Sequence, residues 1–333
     1  MKCSVLLAVY NGGKLLREAI ESILRQDEPD FEFLIIDDCS TDDSAATIRS
    51  FAQKDARIRA FFHERNLGLA DTLNQGLREA RAEFVARIDH DDTALPNRLS
   101  TQLRFLRTRP QVAVAGSFVY HMGRTPQLDR LVRLPVEHNE IAGTLPQRNC
   151  IYHPSVMLRR EVILSVGGYR ADLHNAEDYD LWLRTSRAYQ LANIPVPLLR
   201  YRFSATGLTL GKKWQQAFYI QMAIVSYRCP EWSIEQVRKR AALDLERLDK
   251  SDFLLGVVRG TTEELRLLGQ EEDARRAWWL FFHQLGFRQK LRLATASGWN
   301  FRQLLENLSP RVYGVRNRMA DPRNSSGSGG LAT

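Results

Sequence analysis

The feature that most constrains this chain is the alternation running through its first ninety residues. Short apolar runs, "SVLLAV", "FEFLIID", "IRAFF" and "EFVARID", take turns with helix-period stretches. In "GKLLREAIESILRQ", Leu15, Leu16, Ala19, Ile20, Ile23 and Leu24 fall on one stripe, which argues for an amphipathic helix. "AATIRSFAQKD", with Asp43 or Ser44 available as N-cap, and "LADTLNQGLREA" give two more. A β-α-β-α-β-α-β order of this kind predicts an α/β fold, a mostly parallel sheet covered by helices on both faces.

In such sheets ligands collect outside the carboxyl ends of the strands. There the chain places its polar clusters: "YNGG", "DDCSTDD", "ERNLG" and "DHDD" each follow an apolar run. The last sets Asp89, Asp91 and Asp92 within four positions, a crowding of like charge that opposes folding unless a cation relieves it. A solvated turn is the competing account, because turn chemistry uses the same residue types. Mg²⁺ and Mn²⁺ take oxygen ligands and commonly engage one or two protein carboxylates, with phosphate oxygens and water completing the shell. If the segment is extended, Asp89 and Asp91 share a side and Asp92 points away.

Composition narrows the class. The 333 residues, 44% of them hydrophobic, suffice for one large domain and an appendage. Cys3, Cys39, Cys150 and Cys229 are scattered without zinc or disulfide spacing, which suits a reducing cytosol. "MKCSVLLAVYNGG" reads as a first strand rather than a signal peptide, and no apolar run approaches the roughly 20 residues of a spanning helix. The net charge of +8 lies in the tail: from Ala274 onward there are ten Lys/Arg against two acids, while the preceding residues hold 37 of each sign. That tail carries three of the six Trp. It fits either an amphipathic surface for anionic lipid or helices packed on the domain before it. The recognisable nucleic-acid modules do not occur.

Taken together, "SVLLAVYNGGKLLREAIESIL", "LIIDDCSTDDS", "RNLGLADTLNQGL" and "ARIDHDDTALPNRL" resemble the family 2 glycosyltransferases of the GT-A fold. These are inverting enzymes that use nucleotide-diphosphate sugars. The resemblance runs from about Ser4 to Arg202. It implies that Tyr10, preceded by Ala8, stacks on the nucleobase and that Asp38 accepts from the base N–H, with Asp37 in support. Arg65 and Asn66 match the loop closing over the nucleotide, and Asp89, Asp91 and Asp92 the DxD-type element for ribose and metal, Mn²⁺ or Mg²⁺. His90 stands where Ala is commoner, and Cys39 replaces the small residue of the usual "DDGS".

The same resemblance places the general base at Asp178 in "NAEDYDLWLR", with Glu177 positioning the acceptor. Helix capping is the plain alternative for this acidic cluster. Asp180 reads as a first-turn acid favoured by the helix dipole. Trp182 packs the helix or stacks on a sugar, and His153 lies by the pocket or is satisfied in the core. In "LLRYRFSATGLT" the resemblance makes Arg202 the candidate for meeting the leaving diphosphate, an ordinary surface arginine being the plain alternative.

The expected organisation is a GT-A domain over 1–210, a helical region over 211–323 and a flexible tail or tag remnant over 324–333. The expected activity is transfer of one sugar, probed first with UDP-sugars, to a hydroxyl of a glycan or lipid-linked saccharide, as in bacterial surface-polysaccharide or O-antigen assembly. The expected place is the cytoplasm, at the inner face of the membrane where the tail meets anionic lipid. A sugar-nucleotide nucleotidyltransferase and a non-catalytic glycan- or nucleotide-sugar-binding subunit are the alternatives. The first would open on a Gly-rich basic loop that "AVYNGGKLL" matches poorly. The second has no need of a base.

Overall fold

The computed structural model describes residues 1–203 and 210–284. The first half follows the alternation: β1 (Cys3–Val9), α1 (Leu15–Leu24), β2 (Phe31–Asp37), α2 (Ser44–Ala52), β3 (Ile58–Phe62), α3 (Leu69–Glu79) and β4 (Phe84–Ile88). Every residue of β1, β2 and β4 is buried, because helices cover both faces. Side chains alternate across β1. Val5, Leu7 and Val9 join a core with Leu16 and Ile20 of α1, while Leu6 joins Leu73 and Leu77 of α3 on the other face. Gly76 lets α3 lie against β1, since a Cβ there would meet Leu6 Cδ1 at 2.2 Å.

The second half comprises β5 (Thr93–Ala94), α4 (Arg98–Thr108), β6 (Val112–His121), β7 (Arg130–Val132), α5 (His138–Thr144), β8 (Met157–Arg159), α6 (Arg160–Ser165), α7 (Glu177–Thr185) and β9 (Gln190–Tyr201). Strands pair in the order β3-β2-β1-β4-β8-β6-β9-β5, with β7 on β6. The ladders from β3 to β4 are parallel, β8 is antiparallel to β4 and β6, and β9 runs parallel to β6.

Register places the site. Val9 pairs with Asp37, Asp37 with Phe62, and Leu7 with Ile88. The loops opening at Tyr10, Asp38, His63 and Asp89 therefore leave the sheet side by side. Thr93 of β5 pairs with Arg200 of β9, which carries the acidic loop to the end of β9.

Four helices follow, α8 (Leu210–Arg228), α9 (Ile234–Glu246), α10 (Lys250–Leu267) and α11 (Glu271–Gln284), and residues 1–284 form one compact unit. Ser233 and Gln236 make a reciprocal capping box at the start of α9, an S-x-x-Q signature. Glu264 of α10 bonds to His121 and Arg130, and Gln270 reaches the Met122 carbonyl at 2.9 Å. The expected boundary at 210 adjoins residues 204–209, and the basic aromatic tail beyond 284, with the 324–333 segment, likewise lies outside the described residues. Among the described residues no helix is long and apolar enough to cross a membrane.

Candidate active site

The acidic loop is a tight turn rather than an extended segment. Asp92 N–H approaches the Asp89 carbonyl at 3.4 Å, so Asp92 does not point away. Carboxylate oxygens of Asp89, Asp91 and Asp92 lie within 4.8 Å of one another. Burial and then Asp89 push the Asp91 carboxyl above its ordinary range; Asp92, wholly buried, is pushed well above it by burial, Asp89 and Asp91. Asp92 Oδ1 accepts from the Arg202 N–H at 2.8 Å, while Oδ2 is buried with no partner. An orphaned carboxylate oxygen beside two more carboxylates is a donor set that fits a hard divalent cation.

Two cations already attend this cluster. Arg87 reaches out of β4 and grips both oxygens of Asp89. Arg202 donates through Nε to the Asp91 carbonyl at 2.9 Å and through its guanidinium to Glu18 at 3.1 Å. Beneath them Arg98, fully buried, donates to the Arg87 and Val156 carbonyls, and burial lowers its pKa to about 9. Sequence reading missed Arg87 and Arg98. The signal was a charged residue inside the apolar run "FVARID", with no solvated face to occupy.

Tyr10, just after β1, is 49% exposed, and Ala8 within the strand is buried. The first two loops are laced together. Thr41 donates to Asn11 Oδ1, and the amides of Gly12 and Gly13 donate to Ser44 Oγ and Asp42 Oδ2. Asp42 also accepts from the Ser44 amide at 3.0 Å. The start of α2 is thus held by Asp42, while Asp43 makes no side-chain cap.

Asp38 is buried, and both its oxygens are engaged. Oδ1 takes the Leu67 amide at 2.8 Å and His63 Nδ1 at 2.7 Å, and Oδ2 takes the Gly68 amide at 2.8 Å. His63 Nε2 leans on Gln75 of α3 at 2.6 Å. Asn66 donates to the Asp38 carbonyl, and Arg65 beside it is exposed. Asp38 therefore fastens the 63–68 loop, an attachment that the sequence did not disclose.

Opposite stands α7. Asp178 at its first turn is half-buried and accepts from Asn149 Nδ2 at 3.0 Å. Burial raises its pKa, against the Tyr179 amide, Arg87 and Asn149. Glu177 is pushed up to about 7 by burial and then by Asp178. Asp89 acts electrostatically on Asp178, and Arg87 acts on Asp89, Asp178 and Glu177, so the two acidic groups are coupled through charge.

Three neighbours have other duties. Trp182 is 0% exposed and offers no face to a sugar; it packs α7 onto the sheet, with its ring edge-on to His153. His153 is buried too, bonds to the Tyr169 hydroxyl at 2.8 Å, and is held well below the ordinary histidine pKa by burial and then Arg87. Its burial and its Tyr169 partner are those of a core-satisfied histidine. Asp180 pairs with Arg184 at 2.7 Å and Arg170 at 3.4 Å, and Arg184 goes on to the Gly168 carbonyl, fixing the Gly167-Gly168 turn.

Residues 4–167 match the family model described as glycosyl transferase family 2. The chain is 30% identical over 228 residues to the amylovoran biosynthesis glycosyltransferase AmsE of Erwinia amylovora, covering 68% of this chain and 84% of that protein. It is 30% identical over 206 residues to the Escherichia coli UDP-Gal:alpha-D-GlcNAc-diphosphoundecaprenol beta-1,3-galactosyltransferase, covering 61% and 74%. The mannosyltransferase PcManGT of Pyrobaculum calidifontis, solved with GDP-Man and Mn²⁺, superposes with a TM-score of 0.54 at 18% identity, over 89% of this chain and 79% of that one. Its fold is thereby the GT-A fold anticipated from the loops. The chain belongs to glycosyl transferase family 2 and is a glycosyltransferase.

Proposed function

We propose that this glycosyltransferase moves one sugar, with inversion, from a nucleotide-diphosphate donor to a hydroxyl of a glycan or lipid-linked saccharide in bacterial surface-polysaccharide synthesis. The reading is supported by the charge coupling of Asp178 to Arg87 and Asp89, the latter clustered with Asp91 and Asp92. Asp91 and Asp92, with Asp89, would hold Mn²⁺ or Mg²⁺, which supplies charge stabilisation for the departing diphosphate. Tyr10 offers its exposed ring to the base, and Arg65 and Asn66 stand over the nucleotide. Arg202 adds positive charge beside the leaving group. Asp178 takes the proton of the acceptor hydroxyl as that oxygen attacks the anomeric carbon. Its pKa, raised by burial, makes the carboxylate a stronger base than that of an exposed aspartate. Glu177 positions the acceptor.

The names of the relatives support UDP as the first nucleotide to try, and a lipid-diphosphate saccharide as the acceptor class. The test is a panel of nucleotide sugars with Mn²⁺ or Mg²⁺, scoring released nucleoside diphosphate. One donor should stand out, EDTA should abolish turnover, and Asp178→Asn should bind donor while losing about 10²-fold or more in rate. Turnover undiminished in EDTA or in Asp178→Asn overturns the assignment. The basic tail is proposed to bring the enzyme to anionic membrane. Equal sedimentation with anionic and neutral vesicles, unchanged on deletion of residues 274–323, would refute that part.

A further inference from the structure

A cavity of about 700 Å³ opens between the end of β9 and helices α8, α9 and α10, within the roughly 300–1,000 Å³ usual for small-molecule sites. Its wall is chiefly apolar, made by Ile220, Ile224, Leu245, Leu248, Phe253 and Val257. No carboxylate lines it among the described residues, and one cation does: Lys213. The Lys213 ammonium is half-buried, and among the described residues it meets only the neutral Gln216 Oε1, at 3.0 Å. A cation drawn out of water without an acidic partner is costly unless an anion joins it.

Three links along the chain tie the cavity lining to the site residues. Tyr201 and Phe203 on its wall flank Arg202, whose amide holds Asp92. Gln147 lies two residues from Asn149, the partner of Asp178, and Gln216 donates to the Asn175 carbonyl at 2.9 Å just ahead of Glu177. The space is kept open from within α10. Gly256 and Gly260 lie one turn apart on its lining, and a Cβ at either would meet nothing within 4 Å. Each glycine is a poorer helix former than alanine.

We infer that this cavity binds the lipid-phosphate end of an amphiphilic acceptor, with the phosphate at Lys213 and the first part of the hydrocarbon chain against the α8–α10 wall. The saccharide end then faces Asp178. As an acceptor subsite this rests on the proposed transfer reaction, but the binding itself does not.

The test is calorimetric titration of the full chain with farnesyl diphosphate in EDTA, without donor, beside farnesol and inorganic pyrophosphate. Farnesyl diphosphate should bind at least ten-fold tighter than either fragment. Lys213→Met should weaken it about ten-fold, with recovery in Lys213→Arg. The double substitution Gly256→Leu and Gly260→Leu, which fills the cavity and favours the helix, should abolish binding while leaving the unfolding temperature unchanged or raised. Undiminished binding by Lys213→Met or by the leucine variant overturns the inference, as does pyrophosphate binding as tightly as farnesyl diphosphate. Because no turnover is measured, failure of the transfer reaction and failure of this site remain distinguishable.

Discussion

The guanidinium of Arg87 and the carboxylate of Asp89 form a two-pronged ion pair at the end of β4, with the arginine almost wholly buried and the aspartate part-exposed. One of three crowded aspartates is thus neutralised from inside the sheet, whereas Asp91 and Asp92 are not. The division predicts unequal contributions to cation binding. Asp91→Asn and Asp92→Asn should each weaken Mn²⁺ at least ten-fold, measured by electron paramagnetic resonance of the free ion. Asp178→Asn should leave Mn²⁺ affinity within about two-fold. A cation held equally well by Asp91→Asn would place the metal elsewhere.

Arg87 itself should be hard to replace. Arg87→Met keeps most of the side-chain volume but leaves Asp89 facing Asp91 and Asp92 without its partner. Removing one member of a buried pair costs about 3–5 kcal/mol; the exposure of Asp89 reduces this to about 2 kcal/mol. Urea denaturation should show that loss, and added Mn²⁺ should restore part of it by binding the native state. No shift in the denaturation midpoint would mean that the pair contributes nothing.

Glu177 makes the opposite kind of stability statement. Its pKa rises from 4.5 to about 7 on folding, so between those values the native state holds a proton that the unfolded chain has released. Stability from this group is complete below about pH 4.5 and is lost as pH rises to 7. Glu177→Gln should therefore be more stable than wild type at pH 8, by at most about 3 kcal/mol, with the advantage vanishing toward pH 4.5. Thermal unfolding across pH 4.5–8 measures it. Acceptor KM should rise in the same variant, the common trade of activity for stability at a site.

The fold was legible because β1, β2 and β4, buried on both faces, are written as chiefly apolar runs broken only by Ser4, Glu32, Asp37 and Arg87, while α1 and α3 show a stripe. The loops were legible because a parallel sheet sends them to one edge. Trp182 was harder. All but two residues of α7 are buried, so the helix has no solvent face against which to judge where a ring points. The role of Asp38 was illegible for another reason: its partners Leu67 and Gly68 come from a loop 29 and 30 residues away. Helix α10 falls within the expected helical region, but Gly256 and Gly260 interrupt its stripe, and in the structure those glycines line a cavity.

Asp38 and Tyr10 should separate two ways of losing nucleotide affinity. Asp38→Ala strands the Leu67 and Gly68 amides and the His63 ring, each unpaired group costing about 1–3 kcal/mol. Affinity for the nucleoside diphosphate and thermal stability should fall together. Tyr10→Ala removes a half-exposed ring, so affinity should fall with little change in unfolding temperature. Loss of affinity without loss of stability in Asp38→Ala would show that this carboxylate serves the ligand alone.

Cys39 occupies the left-handed region, with φ of 62°, at the position where the resemblance expects a small residue. A side chain there costs roughly 1–2 kcal/mol, and its thiol recovers little through a 3.6 Å contact to the Glu64 carbonyl. Glycine relieves the strain but adds about 0.4–1 kcal/mol of unfolded-chain entropy. The strain term is the larger, so Cys39→Gly should be neutral to stabilising by up to about 1 kcal/mol in equilibrium denaturation. Donor kinetics should not change, because the neighbouring Asp38 is held by its own three donors rather than by the thiol. A destabilised Cys39→Gly protein would show instead that the sulfur packs the second loop.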